Sequence, residues 1–367
     1  MRIVQFISRM DVLGGAQIHV RDLSKGLKNE GHNVIVVSMG KGSVTEELKK
    51  YGIRYIQLKH LVLPIHLYHD VRTIIEMRNL LKRIQPDLLA IHSSKAGIIG
   101  RIVGKLVGIP TVFTAHGWAF TEGVPKRKRK RYRFFEYLAG KISQGVITVS
   151  SYDYQLAVKE KVIPKEKMNI IYNGVPDVEE LLRSIPNRHP PKIMMVARFA
   201  FPKDHIQLIQ ALDKLQNLEW EVEFVGDGPL REEVQKYVKQ SPFANRITFL
   251  GDRTDVPERL SAAQIFVLIS KLEGLPISII EAMRSGLPVI ASEVGGVGEV
   301  VENEHNGFTI PSGNIDILTE RLAKLINNPS LREKMGNASR KKYEESFTFE
   351  TMKNETIQYY KNIIQEK

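Results

Sequence analysis

Two rhythms of apolar and polar positions alternate along this chain. Short runs of β-branched and aliphatic residues are separated by longer stretches whose apolar residues recur at helical spacing. The first run predicts a strand over 2–7, followed by a glycine turn at Gly14-Gly15. Ile18, Leu23 and Leu27 share one face of a predicted helix over 17–27, and Gly31-His32 punctuates the return to a strand over 33–38. The pattern recurs as a helix over 71–84, the breaker Gln85-Pro86-Asp87 and a strand over 88–91. Another helix leads through Gly108-Ile109-Pro110 to a strand at Thr111–Ala115, and a long basic helix precedes a strand over 145–150. Residues 170–172 read as one more strand.

Residues 177–191 break the rhythm. The stretch from Arg183 to Pro191 is proline-rich, polar and without period, so 181–191 reads as a linker. The alternation then restarts with strands over 192–197, Glu221–Val225, 247–250, Ile265–Leu268 and 289–291. Helices over 206–215, 230–239 and Ile277–Arg284 lie between them, and the chain beyond Ser330 is helical and charged, with a break near Ser346-Phe347. Strand–helix alternation specifies parallel sheets covered on both faces. The expected organisation is α/β: a first Rossmann-like domain over 1–180, a second over 192–345, and a C-terminal helix over 346–367 that packs back on the first. In such sheets ligands bind beyond the C-terminal strand ends, so the loops there carry the chemistry.

Composition narrows the reading. The 367 residues include no cysteine, which excludes disulfides, thiol catalysis and Cys-ligated metals. The most apolar stretch, 98–113, carries Arg101 and Lys105 and falls short of the ~20 apolar residues of a membrane span. No export signal is visible in MRIVQFISRM, so a cytoplasmic protein is expected, attached to a membrane only at its surface. The net charge of +12 is uneven: residues 1–185 hold 30 Lys and Arg against 16 Asp and Glu, and the remainder is nearly neutral. One half therefore faces something anionic, or carries a well-solvated surface.

Two loops of the second half stand out. Arg198 and Lys203 lie where a strand yields to a helix, so a planar fork and a point charge can meet one diphosphate. Farther on, Glu273-Gly274-Leu275-Pro276 turns into a helix whose free N–H groups suit phosphate, and Glu281 sits in that helix among apolar neighbours. A carboxylate there needs donors, and ligand hydroxyls supply them.

Glu273 and Glu281, seven residues apart in the intervening sequence, follow the Arg198…Lys203 pair by about seventy. This order resembles the donor site of the retaining nucleotide-sugar glycosyltransferases of family 4, which have a GT-B fold of two Rossmann-like domains facing across a deep cleft. The resemblance extends over nearly the whole chain, through Gly14-Gly15-Ala16, Ala115-His116-Gly117-Trp118, Tyr172-Asn173-Gly174-Val175, Val225-Gly226-Asp227-Gly228-Pro229 and Ser292-Glu293-Val294-Gly295-Gly296. It implies that Arg198 and Lys203 hold the donor diphosphate as leaving group and that Glu281 binds the ribose hydroxyls. Glu273 would contact the transferred sugar, assisted by the backbone of Gly274, Leu275 and Pro276. Gly14 and Gly15 would offer backbone N–H to the phosphates, and the backbone around Arg253 would receive the base. His116 would meet sugar hydroxyls or the reacting centre. Metal independence is expected as well: the sequence has no Asp-x-Asp triplet and no His-x-x-x-His spacing, and no cofactor is expected beyond the sugar nucleotide as co-substrate.

The remaining feature is Lys126-Arg127-Lys128-Arg129-Lys130-Arg131, six consecutive cations running into Tyr132, Phe134, Phe135, Tyr137 and Leu138. Basic and aromatic residues together suit an anionic membrane surface; the alternative is a solvated helix face with its aromatics in the core. The Ala115–Gly123 stretch followed by this helix is similar to bacterial surface-polysaccharide transferases. The expectation is thus a retaining hexosyltransferase, using a UDP-sugar by family prevalence, that acts on a glycan or polyprenyl diphosphate-linked saccharide at the inner face of the cytoplasmic membrane. A nucleotide-sugar epimerase of the same fold is one alternative. The other is a non-catalytic binder of an anionic ligand or nucleic acid, although no nucleic-acid motif is present and nucleic acid is not the expected partner.

Overall fold

Seven runs of apolar residues in the first unit form one parallel sheet. The structure, a computed structural model, describes residues 1–366 and divides into two units. The first comprises Met1–Asn173 with the chain from Glu350 onward; the second is Gly174–Phe349. In chain order the first unit runs β1 (Arg2–Arg9), α1 (Gly15–Asn29), β2 (Asn33–Met39), α2 (Ser43–Lys50), β3 (Arg54–Gln57), α3 (Leu67–Ile84), β4 (Leu88–His92), α4 (Ser94–Val107), β5 (Thr111–Ala115), α5 (Lys126–Ile142), β6 (Gly145–Thr148), α6 (Ser151–Lys159) and β7 (Met168–Ile170). Its strand order is β3-β2-β1-β4-β5-β6-β7.

The second unit runs β8 (Lys192–Val196), α7 (His205–Asp213), β9 (Glu221–Val225), α8 (Arg231–Lys239), β10 (Ile247–Gly251), α9 (Val256–Ser261), β11 (Ile265–Leu268), α10 (Ile277–Arg284), β12 (Val289–Ser292), α11 (Val297–Val300), β13 (Gly307–Ile310), α12 (Ile315–Asn327) and α13 (Pro329–Ser346). Its sheet order is β10-β9-β8-β11-β12-β13, again parallel. The last helix, α14 (Phe349–Gln365), belongs to the first unit from Glu350 on. Its buried Lys353 pairs with Glu30 of the residue following α1 at 2.6 Å.

The central strands are buried on both faces, which is why they read as continuous apolar runs. In β1 every residue from Ile3 to Ser8 is buried, including Gln5. Both sheets reverse strand order beside their first strand: β4 pairs with β1 on the side opposite β2, and β11 pairs with β8 on the side opposite β9. The loops leaving the C-terminal ends of such a strand pair diverge, and the space between them receives a ligand.

Several boundaries differ from the sequence expectation. The half-exposed edge strand β3 has no continuous apolar run, and neither it nor β13 announces itself in the pattern. The chain passes between units at Asn173–Gly174, so 181–191 is not a linker between them but part of the second unit. Side chains hold that proline-rich stretch: buried Arg332 donates to the Pro186 carbonyl at 2.9 Å, and Gln264 donates to that of Ile185 at 3.1 Å. Its polarity reflects backbone carbonyls satisfied by side chains instead of by a sheet.

Candidate functional site

At the reversal point of the second sheet, the loop after β8 meets the loop after β11. Lys203 forms an isolated antiparallel bridge with Ser270, and the Asp204 backbone donates to Ile269 at 2.9 Å. That pairing brings the Lys203 ammonium onto the Glu273 carboxylate, which also accepts from the Ser270 hydroxyl. Both members of the ion pair are largely withdrawn from solvent, with side-chain exposures of 17% and 11%. Asp204 caps α7, its side chain accepting from Gln207 N at 3.1 Å. Arg198, at the start of the same loop, is exposed. Its charge acts on Asp252, whose carboxyl is raised above its ordinary range by burial first and by Asp227 second.

The segment after Glu273 is held by a second contact. Gly296 N donates to the Gly274 carbonyl at 2.9 Å, and Gly295, with φ of +58°, lies against the Glu273 backbone. A Cβ at Gly295 would fall 1.8 Å from the Glu273 carbonyl oxygen, so only glycine permits this approach. Leu275 and Pro276 are buried, and Pro276 precedes α10 with no side chain capping the helix. The first N–H groups of α10 are therefore available to an anion. Glu281 is half-buried on α10, among the buried Ile277, Ile279, Ile280, Ala282 and Met283. Arg253 lies after β10 with its guanidinium held by Asp255 through bonds of 2.6 and 2.7 Å.

The reversal point of the first sheet is of different character. Gly14 precedes α1 in extended conformation without a side-chain cap, so the α1 terminus also offers N–H groups, with Gly15 exposed. Beside it, His116 follows β5 and is half-buried. Its Nε2 lies 3.0 Å from His92 Nδ1, and His92 Nε2 lies 2.6 Å from Gln5 Oε1. His19 of α1 meets the His116 ring edge-on, with centroids 4.7 Å apart. Burial is the first cause that holds all three imidazoles below their ordinary range, with His19 at about 4; mutual repulsion adds to it for His92 and His116. One ring nitrogen from each lies within 4.8 Å of the others, a spacing at which a transition metal could be held.

Sequence reasoning singled out His116 but missed Gln5, His19 and His92. The β1–β4 register, which pairs Ile7 with His92, brings Gln5 and His92 together, and α1 carries His19 to the same place. A signal did exist: Gln5 is a polar residue inside an otherwise apolar strand pattern, and such a residue needs a partner.

The six cations open α5, which with α3 flanks α4 in the first unit. Arg129 is drawn to Glu160 at 3.2 Å, while Lys126, Arg127, Lys128, Lys130 and Arg131 are exposed. The aromatics divide: Tyr132 packs against the core, whereas Phe134, Tyr137 and Leu138 are exposed. Arg101, the charge interrupting the apolar stretch of α4, is buried against Glu136 of α5 at 2.7 Å. A feature the sequence reading did not single out lies beside α4 as well. Leu63, Ile65, Leu67, Tyr68, Val71 and Ile75 are all exposed, Leu67 to 81%. Lys95 of α4 fixes this segment through the Pro64 carbonyl and a 2.6 Å ion pair to Asp70. Among the described residues, no helix is long and apolar enough to cross a membrane.

Two parallel sheets, each reversing strand order beside its first strand and alternating with helices, define two Rossmann-like units. The chain belongs to the glycosyltransferases of family 4: residues 13–179 match the family described as Glycosyltransferase Family 4, and residues 178–342 match Glycosyl transferases group 1. It is 30% identical over 345 residues, 89% of each chain, to the UDP-Gal:alpha-D-GlcNAc-diphosphoundecaprenol alpha-1,3-galactosyltransferase of Escherichia coli. It is 28% identical to the O-antigen biosynthesis glycosyltransferase WbnH of the same organism, over 86% of this chain and 88% of that one. Anabaena HepE, solved with UDP and glucose, superposes with a TM-score of 0.84 at 20% identity, covering 97% of this chain and 98% of its own. The fold is GT-B, and the protein is a glycosyltransferase of polysaccharide or glycolipid biosynthesis.

Proposed function

We propose that this enzyme transfers a hexosyl group from a UDP-sugar to a hydroxyl of a polyprenyl diphosphate-linked saccharide, with retention at the anomeric carbon and without a metal ion. The observation that carries the reading is the meeting of Lys203 and Glu273 beside the uncapped start of α10, with Arg198 on the same loop. The relatives support the substrate class, since one is named for UDP-Gal and a diphosphoundecaprenol-linked acceptor.

In this reading Arg198, Lys203 and the α10 N–H groups take the diphosphate. Glu281 accepts from the ribose hydroxyls, and the backbone of Gly251–Arg253 receives the base. Glu273 accepts from hydroxyls of the transferred sugar, with Gly274, Leu275 and Pro276 shaping the turn around it. The bond from the anomeric carbon to the β-phosphate oxygen breaks, and the acceptor oxygen bonds to the same face of that carbon. The acceptor's proton passes to the departing phosphate. Catalysis then rests on positioning and on charge already in place where the leaving group develops. Gly14 and Gly15 offer the α1 N–H groups to an anion, and His116 meets a sugar hydroxyl.

The acceptor arrives at a membrane surface. The exposed cations Lys126, Arg127, Lys128, Lys130 and Arg131 of α5 face anionic lipid. The exposed segment from Leu63 to Ile75 adds apolar contact, giving the two components of reversible surface attachment at the inner face of the cytoplasmic membrane.

Incubation with a panel of nucleotide sugars and a lipid-diphosphate-linked acceptor, with detection of released nucleotide and of product configuration by NMR, tests the reading. UDP release that depends on acceptor, with an α-product from an α-donor in EDTA, is the expected result. An inverted product overturns retention. Activity lost in EDTA and restored by magnesium or manganese overturns metal independence. Interconversion of sugar nucleotides without transfer overturns the assignment altogether.

A further inference from the structure

The chain Gln5–His92–His116 has its protons fixed by elementary hydrogen-bond accounting. The Gln5 carboxamide turns its N–H end towards the Tyr360 hydroxyl of α14 and its oxygen, which can only accept, towards His92, so His92 donates from Nε2 across the 2.6 Å contact. His92 is fully buried in the last position of β4 and bonded to no carboxylate, so a second, charging proton has nothing to offset its burial and the ring carries one. Its Nδ1 is therefore a lone pair, and the 3.0 Å contact needs a donor, which is His116 Nε2. An uncharged His116 with its proton on Nε2 has its lone pair on Nδ1. No described protein group takes that nitrogen, and it is not among the atoms shut away from solvent.

We infer that Gln5 and His92 are positioning residues that fix His116 in the Nε2–H tautomer, so that its Nδ1 accepts a hydrogen bond from a hydroxyl of the bound sugar. The sugar rests on the function proposed above; the tautomer does not. Reversing the Gln5 amide would reverse every proton in the chain and make His116 a donor, so the orientation of that amide decides what residue 116 can recognise, although the two side chains are separated by a whole imidazole. His19 seals the arrangement: it is buried beside both rings, and as a protonated imidazolium it would repel any charge on them. The groups facing the chain are thus His19 from α1, itself bonded to Asn173, and Tyr360 from α14, which faces Gln5 of β1; no acidic side chain is bonded to either ring.

The test is long-range proton–nitrogen correlation NMR of the full chain carrying ¹⁵N-histidine at neutral pH, with the two signals assigned from His116→Gln and His92→Gln spectra. Both rings are expected with Nε2 protonated and Nδ1 bare. A protonated Nδ1 on either ring, or a cationic ring, overturns the inference. In Gln5→Glu, the carboxylate should draw a second proton onto His92, whose Nδ1 then donates, so the His116 proton moves to its own Nδ1. An unchanged His116 pattern between about pH 5 and 8 shows that the tautomer is not passed through His92. Binding separates this result from the functional reading. In His92→Phe, affinity for a UDP-sugar should fall by up to about tenfold while affinity for UDP stays as in the parent protein. Equal losses for both ligands overturn the positioning role. Absence of any nucleotide-sugar binding by the parent protein fails the functional reading alone, because the NMR result stands without it.

Discussion

The two sheets reverse strand order at corresponding places and fill those places with opposite chemistry. Beside β8 and β11 the side chains are formal charges: Arg198 is exposed, while Lys203 and Glu273 pair across the gap, largely withdrawn from solvent. Beside β1 and β4 they are imidazoles stripped of charge by burial and aligned by hydrogen bonds. A charged cluster suits a charged ligand and can exchange one counter-charge for another. A neutral, directional cluster suits hydroxyl groups, where orientation discriminates more than attraction does. One topology thus carries a charged cluster in one unit and a neutral, directional one in the other.

The largest effect that would sharpen this contrast lies on the surface of the first unit. Changing Lys126 through Arg131 all to Gln should abolish co-sedimentation with anionic vesicles at low salt. Each cation near such a surface contributes about 1 kcal/mol, and added salt should weaken the parent protein too. Leu67→Ser with Ile75→Ser should weaken sedimentation less. Equal binding by the six-cation variant and its parent would end the membrane role.

Next comes the charged cluster itself. Lys203→Ala removes a charge-assisted contact worth about 1.5–3 kcal/mol and leaves Glu273 without its cation, so nucleotide release should slow by roughly tenfold to a hundredfold. Parent-like rates in the folded variant would detach this loop from the donor.

The neutral cluster makes itself felt through pH. His19 titrates at about 4 in the folded chain, against an ordinary 6.5 when unfolded. Above about pH 6.5 neither state is protonated and stability is unaffected. As pH falls from there towards 4, the unfolded chain takes up a proton that the folded chain refuses, and stability drops by about 1.4 kcal/mol per pH unit for each such histidine. His19→Gln should flatten the fall of Tm over this window; an unchanged slope would mean that the cluster is not held neutral by folding. His205 in the second unit, also held at about 4, should contribute a share that this substitution leaves in place.

The smallest effect is expected at Arg253, whose side chain is occupied by Asp255. If its backbone serves the ligand, Arg253→Ala should change UDP affinity by less than about twofold. A larger loss by calorimetry would give the guanidinium a direct role.

Much of the fold was legible because buried parallel strands leave continuous apolar runs, and Thr111–Ala115, Glu221–Val225 and Ile265–Leu268 were placed to the residue. The edge strand Arg54–Gln57 escaped because none of its residues is fully buried and it has no such run. The charged loop was legible because Lys203 and Glu273 each lie in the short loop between a strand and the helix that follows it, so local reading places them. The histidine chain was not, because its order depends on register between strands more than eighty residues apart. The proline-rich stretch misled for a similar reason: its partner Arg332 lies 146 residues from Pro186.

The passage of the chain out of the first unit at Asn173 and back at Glu350 has a consequence for biosynthesis. The first seven strands emerge from the ribosome well before the helix that finishes their unit. Val146 N waits for the Tyr359 hydroxyl, which lies 3.2 Å away in the finished protein, and Gly145 leaves the space that Ile363 fills, where a Cβ would stand 2.9 Å from that side chain. Residues 174–349, by contrast, are contiguous and have every strand of their sheet available as soon as they are made. The unit begun first is therefore completed last, by α14 from Glu350 on.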